Sequence, residues 1–161
     1  KYGNSVRWLA DSALVNVCYN IAEPFIPLMA NAKEEQFKLY INDTGLLCAM
    51  YGFETKRALL NGSLQGSAKG GIYENAVSEC LIKLGYKLYY YKPDDNHEIE
   101  FLIEKEGGVV PIEVKAGNTA TASLNNFISE YAPNCAYKLI HGNLGFADGK
   151  LTIPHYMIVF L

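Results

Sequence analysis

Apolar and polar residues alternate along the stretch from Glu98 to Lys115, with Ile99, Phe101 and Ile103 followed by Val110, Ile112 and Val114. A period of two predicts a pair of half-buried strands, joined by a tight turn at Gly107-Gly108. Val109, Pro111, Glu113 and Lys115 occupy the opposite face of the second strand. If the turn is symmetric about Glu106 and Gly107, facing residues have numbers that sum to 213. Glu100 then stands opposite Glu113, and Glu98 opposite Lys115.

Other segments carry weaker periodicities. Ser5 is placed to cap a helix with Val6, Leu9, Ala10, Ala13 and Leu14 on one face. An apolar strand is expected over Val15–Ile21, and Pro24 and Pro27 then interrupt regular structure. Phe37–Ile41 reads as a further strand, after which Asp43 or Thr44 caps a helix to Tyr51. Residues 61–71 are rich in Gly, Ser and Asn and form the natural boundary. It separates a mainly helical, connecting segment (1–66) from a second unit (67–161).

In that second unit a helix is expected over residues 71–84, with Tyr73, Ala76, Val77, Cys80 and Leu84 as its buried stripe. Glu74 falls at the stripe's edge, able to reach over the sheet beneath. Strand 86–91, the hairpin 98–115, a helix over 123–131 and strands at 135–141 and 153–161 complete the order. In the run Tyr89-Tyr90-Tyr91, alternation places Tyr89 and Tyr91 on one face as core. This is an α/β fold with a mixed sheet flanked by helices.

The hairpin register also raises a chemical question. Two facing carboxylates with Cβ atoms roughly 5 Å apart repel each other unless a cation sits between them. A divalent metal ion is the simplest candidate, since hard cations take carboxylate oxygens. The charge balance counts against tight autonomous binding of nucleic acid. Residues 1–66 carry six basic and six acidic side chains, whereas 67–161 carry eight and eleven, which accounts for the net −3. An autonomous nucleic-acid binder usually shows a basic excess, and this chain lacks one. Four scattered cysteines without a C-x-x-C pair speak against zinc and fit a reducing, cytoplasmic setting. No apolar run is long enough to span a membrane. The chain opens on Lys1 rather than Met and reads as a piece of something longer.

Glu74 on a first helix, an acid at Glu100, and Glu113-Val114-Lys115 together resemble the PD-(D/E)XK nuclease-like superfamily. Several phrases more narrowly resemble domain of unknown function 4143, found at the C-terminus of bacterial and archaeal AAA-type ATPases. These are Phe37–Leu47, Gly71-Ile-Tyr-Glu-Asn75, Glu98-Ile-Glu-Phe101 and Pro111-Ile-Glu-Val-Lys-Ala-Gly117. The resemblance implies a restriction-endonuclease-like core in residues 67–161, preceded by a winged-helix-like segment. It also implies a preceding P-loop ATPase domain in the full-length chain, through which the protein would oligomerise. This sequence itself lacks the G-x-x-x-x-G-K-[ST] loop, since Gly66–Gly71 ends without Lys-Ser/Thr.

By the same resemblance Glu100, Glu113, Glu74 and the Val114 carbonyl would hold Mg²⁺ or Mn²⁺. Lys115 would stabilise the charge that develops as a phosphodiester of nucleic acid is hydrolysed. Such domains usually have Asp where this chain has Glu100, one methylene longer. Three alternatives stand beside this reading. The hairpin's outer face is a solvated ribbon in which Glu98–Lys115 is an ordinary ion pair. The fold is a non-catalytic module that binds nucleic acid or protein. Or the region mainly drives oligomerisation, with Tyr156–Phe160 at an interface. His97, beside the strand start, reads as a loop residue or a proton carrier.

Overall fold

The computed structural model describes residues 3–117 and 121–161, with side chains from Ser5 onward. Its helices are α1 (Gly3–Asp11), α2 (Thr44–Met50), α3 (Phe53–Leu60), α4 (Gly66–Lys83) and α5 (Ala122–Tyr131). The strands are β1 (Val15–Ile21), β2 (Ala32–Ile41), β3 (Tyr89–Tyr91), β4 (Ile99–Lys105), β5 (Gly108–Val114), β6 (Tyr137–Ile140), β7 (Gly145–Ala147) and β8 (Lys150–Pro154). All of these strands join one mixed sheet in the order β2-β1-β3-β4-β5-β6-β8-β7. The pairs β1–β3, β5–β6 and β6–β8 run parallel, and the rest antiparallel.

Helices cover both faces of the sheet. Val77 and Leu81 of α4 pack with Phe101, Ile103, Val110, Ile112 and Val114. On the other side Leu124 and Phe127 of α5 pack with Tyr89, Ile99 and Leu102. The central strands are therefore buried on both faces, and their polar residues are forced into partnerships. The hairpin β4–β5 has the expected register: Phe101 faces Ile112, Ile103 faces Val110 and Lys105 faces Gly108. Its turn is Glu106-Gly107, with φ of 50° and 76°. Positive φ at both central positions is what a two-residue type I′ hairpin requires.

Elsewhere the structure departs from the sequence pattern. Residues 1–66 contribute two strands to the common sheet besides their helices, and β2 begins at Ala32, well before Phe37. Helix α1 starts at Gly3, so Ser5 lies inside it, and Ala13 and Leu14 fall beyond its end. Asp43, not Thr44, caps α2 by accepting from the Leu46 N–H at 2.7 Å. Neither α3 nor β7 was signalled by periodicity. The apolar run 155–160 is a 3-10 turn after the short strand β8, and Tyr156 and Phe160 are exposed on it. No helix among the described residues is long and apolar enough to cross a membrane.

On α4 the buried face is Ile72, Asn75, Val77, Ser78 and Leu81, whereas Leu84 is exposed. The expected stripe of Tyr73, Ala76, Val77, Cys80 and Leu84 is thus rotated towards Asn75 and Ser78. Asn75 is 2% exposed and clamps the end of β2. Its Oδ1 accepts from the Ile41 N–H at 2.7 Å, and its Nδ2 donates to the Ile41 carbonyl at 2.9 Å and to Thr44 Oγ1 at 3.0 Å. Asn75→Ala removes the side chain that bonds both Ile41 backbone groups in a part-buried setting. Urea denaturation should register a loss of roughly 3 kcal/mol. A loss below about 1 kcal/mol would mean that solvent replaces the clamp.

Candidate active site

The β4–β5 hairpin delivers its charged residues to one place. Strand alternation turns Ile112 and Val114 towards α4, so Glu113 and Lys115 point to the face that α5 covers. The Lys115 ammonium lies 3.2 Å from Glu100 Oε1 and 3.1 Å from Glu113 Oε1. Glu100 Oε2 also accepts from the backbone N–H of Val114 at 3.2 Å. Glu113 is 1% exposed, and its Oε2 is buried without a hydrogen-bond partner. The two carboxylates thus meet at one ammonium, and Lys115 supplies the cation between them.

Burial dominates the electrostatics of this group. It pushes the Glu100 carboxyl up to about 7, against the pull of Lys115, with Glu113 adding to the rise. Glu113 is raised for the same first reason and restrained by Lys115, then by Lys138 and Lys150. Burial works against the charge on Lys115, but Glu100 and Glu113 together hold its pKa above the usual value. One ammonium does not fully compensate two buried carboxylates.

Glu74 is not part of this group. It projects from α4, which packs on the other face of the sheet, and it takes different partners. Tyr40 donates to its Oε2 at 3.0 Å, and Lys38 Nζ lies 3.5 Å from the same oxygen. Lys38 also pairs with Glu98 and lies over the Tyr90 ring, 5.2 Å from its centroid. Glu98 therefore pairs with Lys38 across the sheet, and the Glu98–Lys115 ion pair expected from the register does not form. Burial opposes the charge on Lys38, but Glu74 and Glu98 hold its pKa above the usual value, and the field of Glu100 also reaches it. The two charged groups adjoin without merging.

His97 sits in an exposed loop with its Nδ1 2.9 Å from Asp94 Oδ2, and it contacts none of the site residues. Tyr89 and Tyr91 pack with the α5 side of the core as alternation implied, and Tyr90 with the α4 side. Sequence reasoning missed Lys38 and Tyr40, which reach Glu74 and Glu98 from far away in the chain. Among the described residues, no three His, Cys, Asp or Glu side chains are grouped to hold a metal ion together.

The profile of domain of unknown function DUF4143 matches residues 69–156, more than half of the sequence. The chain belongs to this family. The DUF4143 segment holds Glu74, Glu98, Glu100, Glu113 and Lys115. A second profile, domain of unknown function DUF8612, matches residues 1–57, the span containing Lys38 and Tyr40. No curated protein and no solved structure matches the chain significantly. Lys38 and Tyr40 of the DUF8612 span thus partner Glu74 and Glu98 of the DUF4143 segment.

Proposed function

We propose that this domain is a PD-(D/E)XK-type, divalent-metal-dependent phosphodiester hydrolase acting on nucleic acid. The observation that carries the reading is the Glu100–Lys115–Glu113 group, in which one fully buried Glu113 oxygen has no partner. The order α4-β3-β4-β5-α5-β6 supports it, because it is the helix-strand-strand-strand-helix-strand core of that superfamily. On this reading a P-loop ATPase domain elsewhere in the full-length chain would bring the nucleic acid and set the oligomer.

The residues fit a hard cation. Glu100 and Glu113 would hold Mg²⁺ or Mn²⁺, since both are desolvated carboxylates whose charge the neighbouring lysines offset only in part. A divalent ion bound there polarises a phosphodiester oxygen and lowers the pKa of adjacent water. Glu100 must be deprotonated to act as a ligand, so binding strengthens as pH rises through about 7. Lys115, released from one of its carboxylates, presents an ammonium to charge developing on the phosphate. The buried walls keep the local dielectric low, which enlarges that effect.

A non-catalytic binding module is the second reading, favoured by two observations. Lys115 already neutralises part of the carboxylate charge, and Glu74 stands apart. The deciding experiment incubates supercoiled DNA and a structured RNA with the protein and Mn²⁺ or Mg²⁺. Nicking that disappears in Lys115→Ala, and a metal-induced rise in Tm that disappears in Glu113→Gln, are expected. Should neither nucleic acid be cut, with Glu113→Gln leaving the metal response unchanged, the hydrolase reading fails.

A further inference from the structure

The charged layer continues sideways across the sheet. Glu113 is the cross-strand partner of Lys138 on β6, and Lys138 is the partner of Thr152 on β8. Tyr137, Leu139 and Ile153 belong to the core under α4, so alternation turns Lys138 and Thr152 to the same face as Glu113. One row back on that face, Lys150 is 7% exposed, and its ammonium lies 2.8 Å from Asn125 Oδ1 of α5 and 3.4 Å from Asp148 Oδ2. Strands β5, β6 and β8 are mutually parallel, and the row Glu113–Lys138–Thr152 crosses them in register. Asp148 is largely in solvent. Glu113 has one lysine just past the end of its own strand, Lys115, and another beside it on β6, Lys138.

We propose that Lys138, supported by Thr152, is a phosphate-contacting residue of the site. It would take a phosphodiester next to the one facing Glu113. The substrate class is then a polynucleotide rather than a mononucleotide or a phosphomonoester. Lys138 stands one strand spacing, about 4.8 Å, from Glu113, so its ammonium extends the site along a neighbouring part of the same backbone. A lysine suits this task, because an ammonium meets phosphate as a point charge without demanding a fixed fork geometry. The inference rests on the hydrolase reading for its site, but its test does not depend on cleavage.

The test measures binding of fluorescently labelled single- and double-stranded DNA oligonucleotides by anisotropy across a salt series in EDTA. Wild type, Lys138→Gln and Lys138→Arg are compared with Lys56→Gln, an equal charge change on the exposed α3. Tm measured alongside confirms folding. Lys138→Gln should reduce the slope of log K against log salt by about 0.7–0.9, the share of one phosphate contact. Lys138→Arg should restore it, and Lys56→Gln should leave it unchanged. If cleavage occurs, Lys138→Gln raises KM and leaves kcat within about twofold, as expected for loss of a uniform binding contact.

An unchanged slope in Lys138→Gln overturns the inference even if the wild type cuts DNA. An equal drop in Lys56→Gln overturns it too, because the effect would then be net charge alone. A slope lost in Lys138→Gln and regained in Lys138→Arg, without any cleavage, sustains the inference and tells against the hydrolase reading.

Discussion

Glu100→Gln should make the metal-free protein more stable above neutral pH. The sign comes from the raised carboxyl. Between its ordinary value near 4.5 and about 7, the folded state binds more protons at Glu100 than the unfolded chain does. Stability contributed by this group is complete below that window and is lost as pH rises through it. An upward shift of this size corresponds to roughly 3 kcal/mol. Glutamine resembles the protonated acid in shape and charge, so it removes the loss. Urea denaturation between roughly pH 4 and pH 8 should show a falling curve for wild type and a flatter one for Glu100→Gln. Added Mn²⁺ should reverse the order at the upper end by stabilising only the wild type. Parallel pH profiles for the two proteins would show that Glu100 titrates as an ordinary solvated acid.

Lys115→Met should have the largest opposite effect. It leaves Glu100 and Glu113 facing each other without the ammonium that bridges them at 3.2 and 3.1 Å. Removing one partner from a buried charge group typically costs about 3–5 kcal/mol. The charge on Glu100 is the source of much of that cost, so Lys115→Met/Glu100→Gln should recover a large part of it. The coupling in the double-mutant cycle should exceed about 1 kcal/mol, as for residues in one network. Additive losses would instead mean that Lys115 acts through packing of its alkyl chain. A loss below about 1 kcal/mol would place the pair in solvent-like surroundings.

The hairpin was legible because its signal is local. Alternation through Phe101–Ile103 and Val110–Val114, with Glu106-Gly107 between, fixes the register, whereas Ile99 departs from the pattern and packs on the α5 side with Leu102. The exchange of partners was not legible. Lys38 on β2 reaches Glu98 across β1 and β3, and no spacing rule encodes such a contact. Lys138 becomes a neighbour of Glu113 only through a parallel pairing set up by the α5 crossover. On α4 an apolar stripe leaves out Asn75, which is buried and bonds both backbone groups of Ile41. At the C-terminus, Tyr156–Phe160 is apolar enough for a strand, yet it coils into a 3-10 turn with Tyr156 and Phe160 outward.

The position of β1 has a consequence for how the chain assembles. Tyr19 and Asn20 pair with Tyr89 and Tyr90, residues whose numbers differ by seventy. The chain between them must be made before that parallel seam can close, and non-local pairing of this kind slows folding. While the chain is being synthesised, the β1–β2 ribbon waits with one edge and its apolar side uncovered. Its lysine meets Glu74 and Glu98 only at the end of that wait, so the charged layer is among the last parts of the molecule to acquire its final wiring.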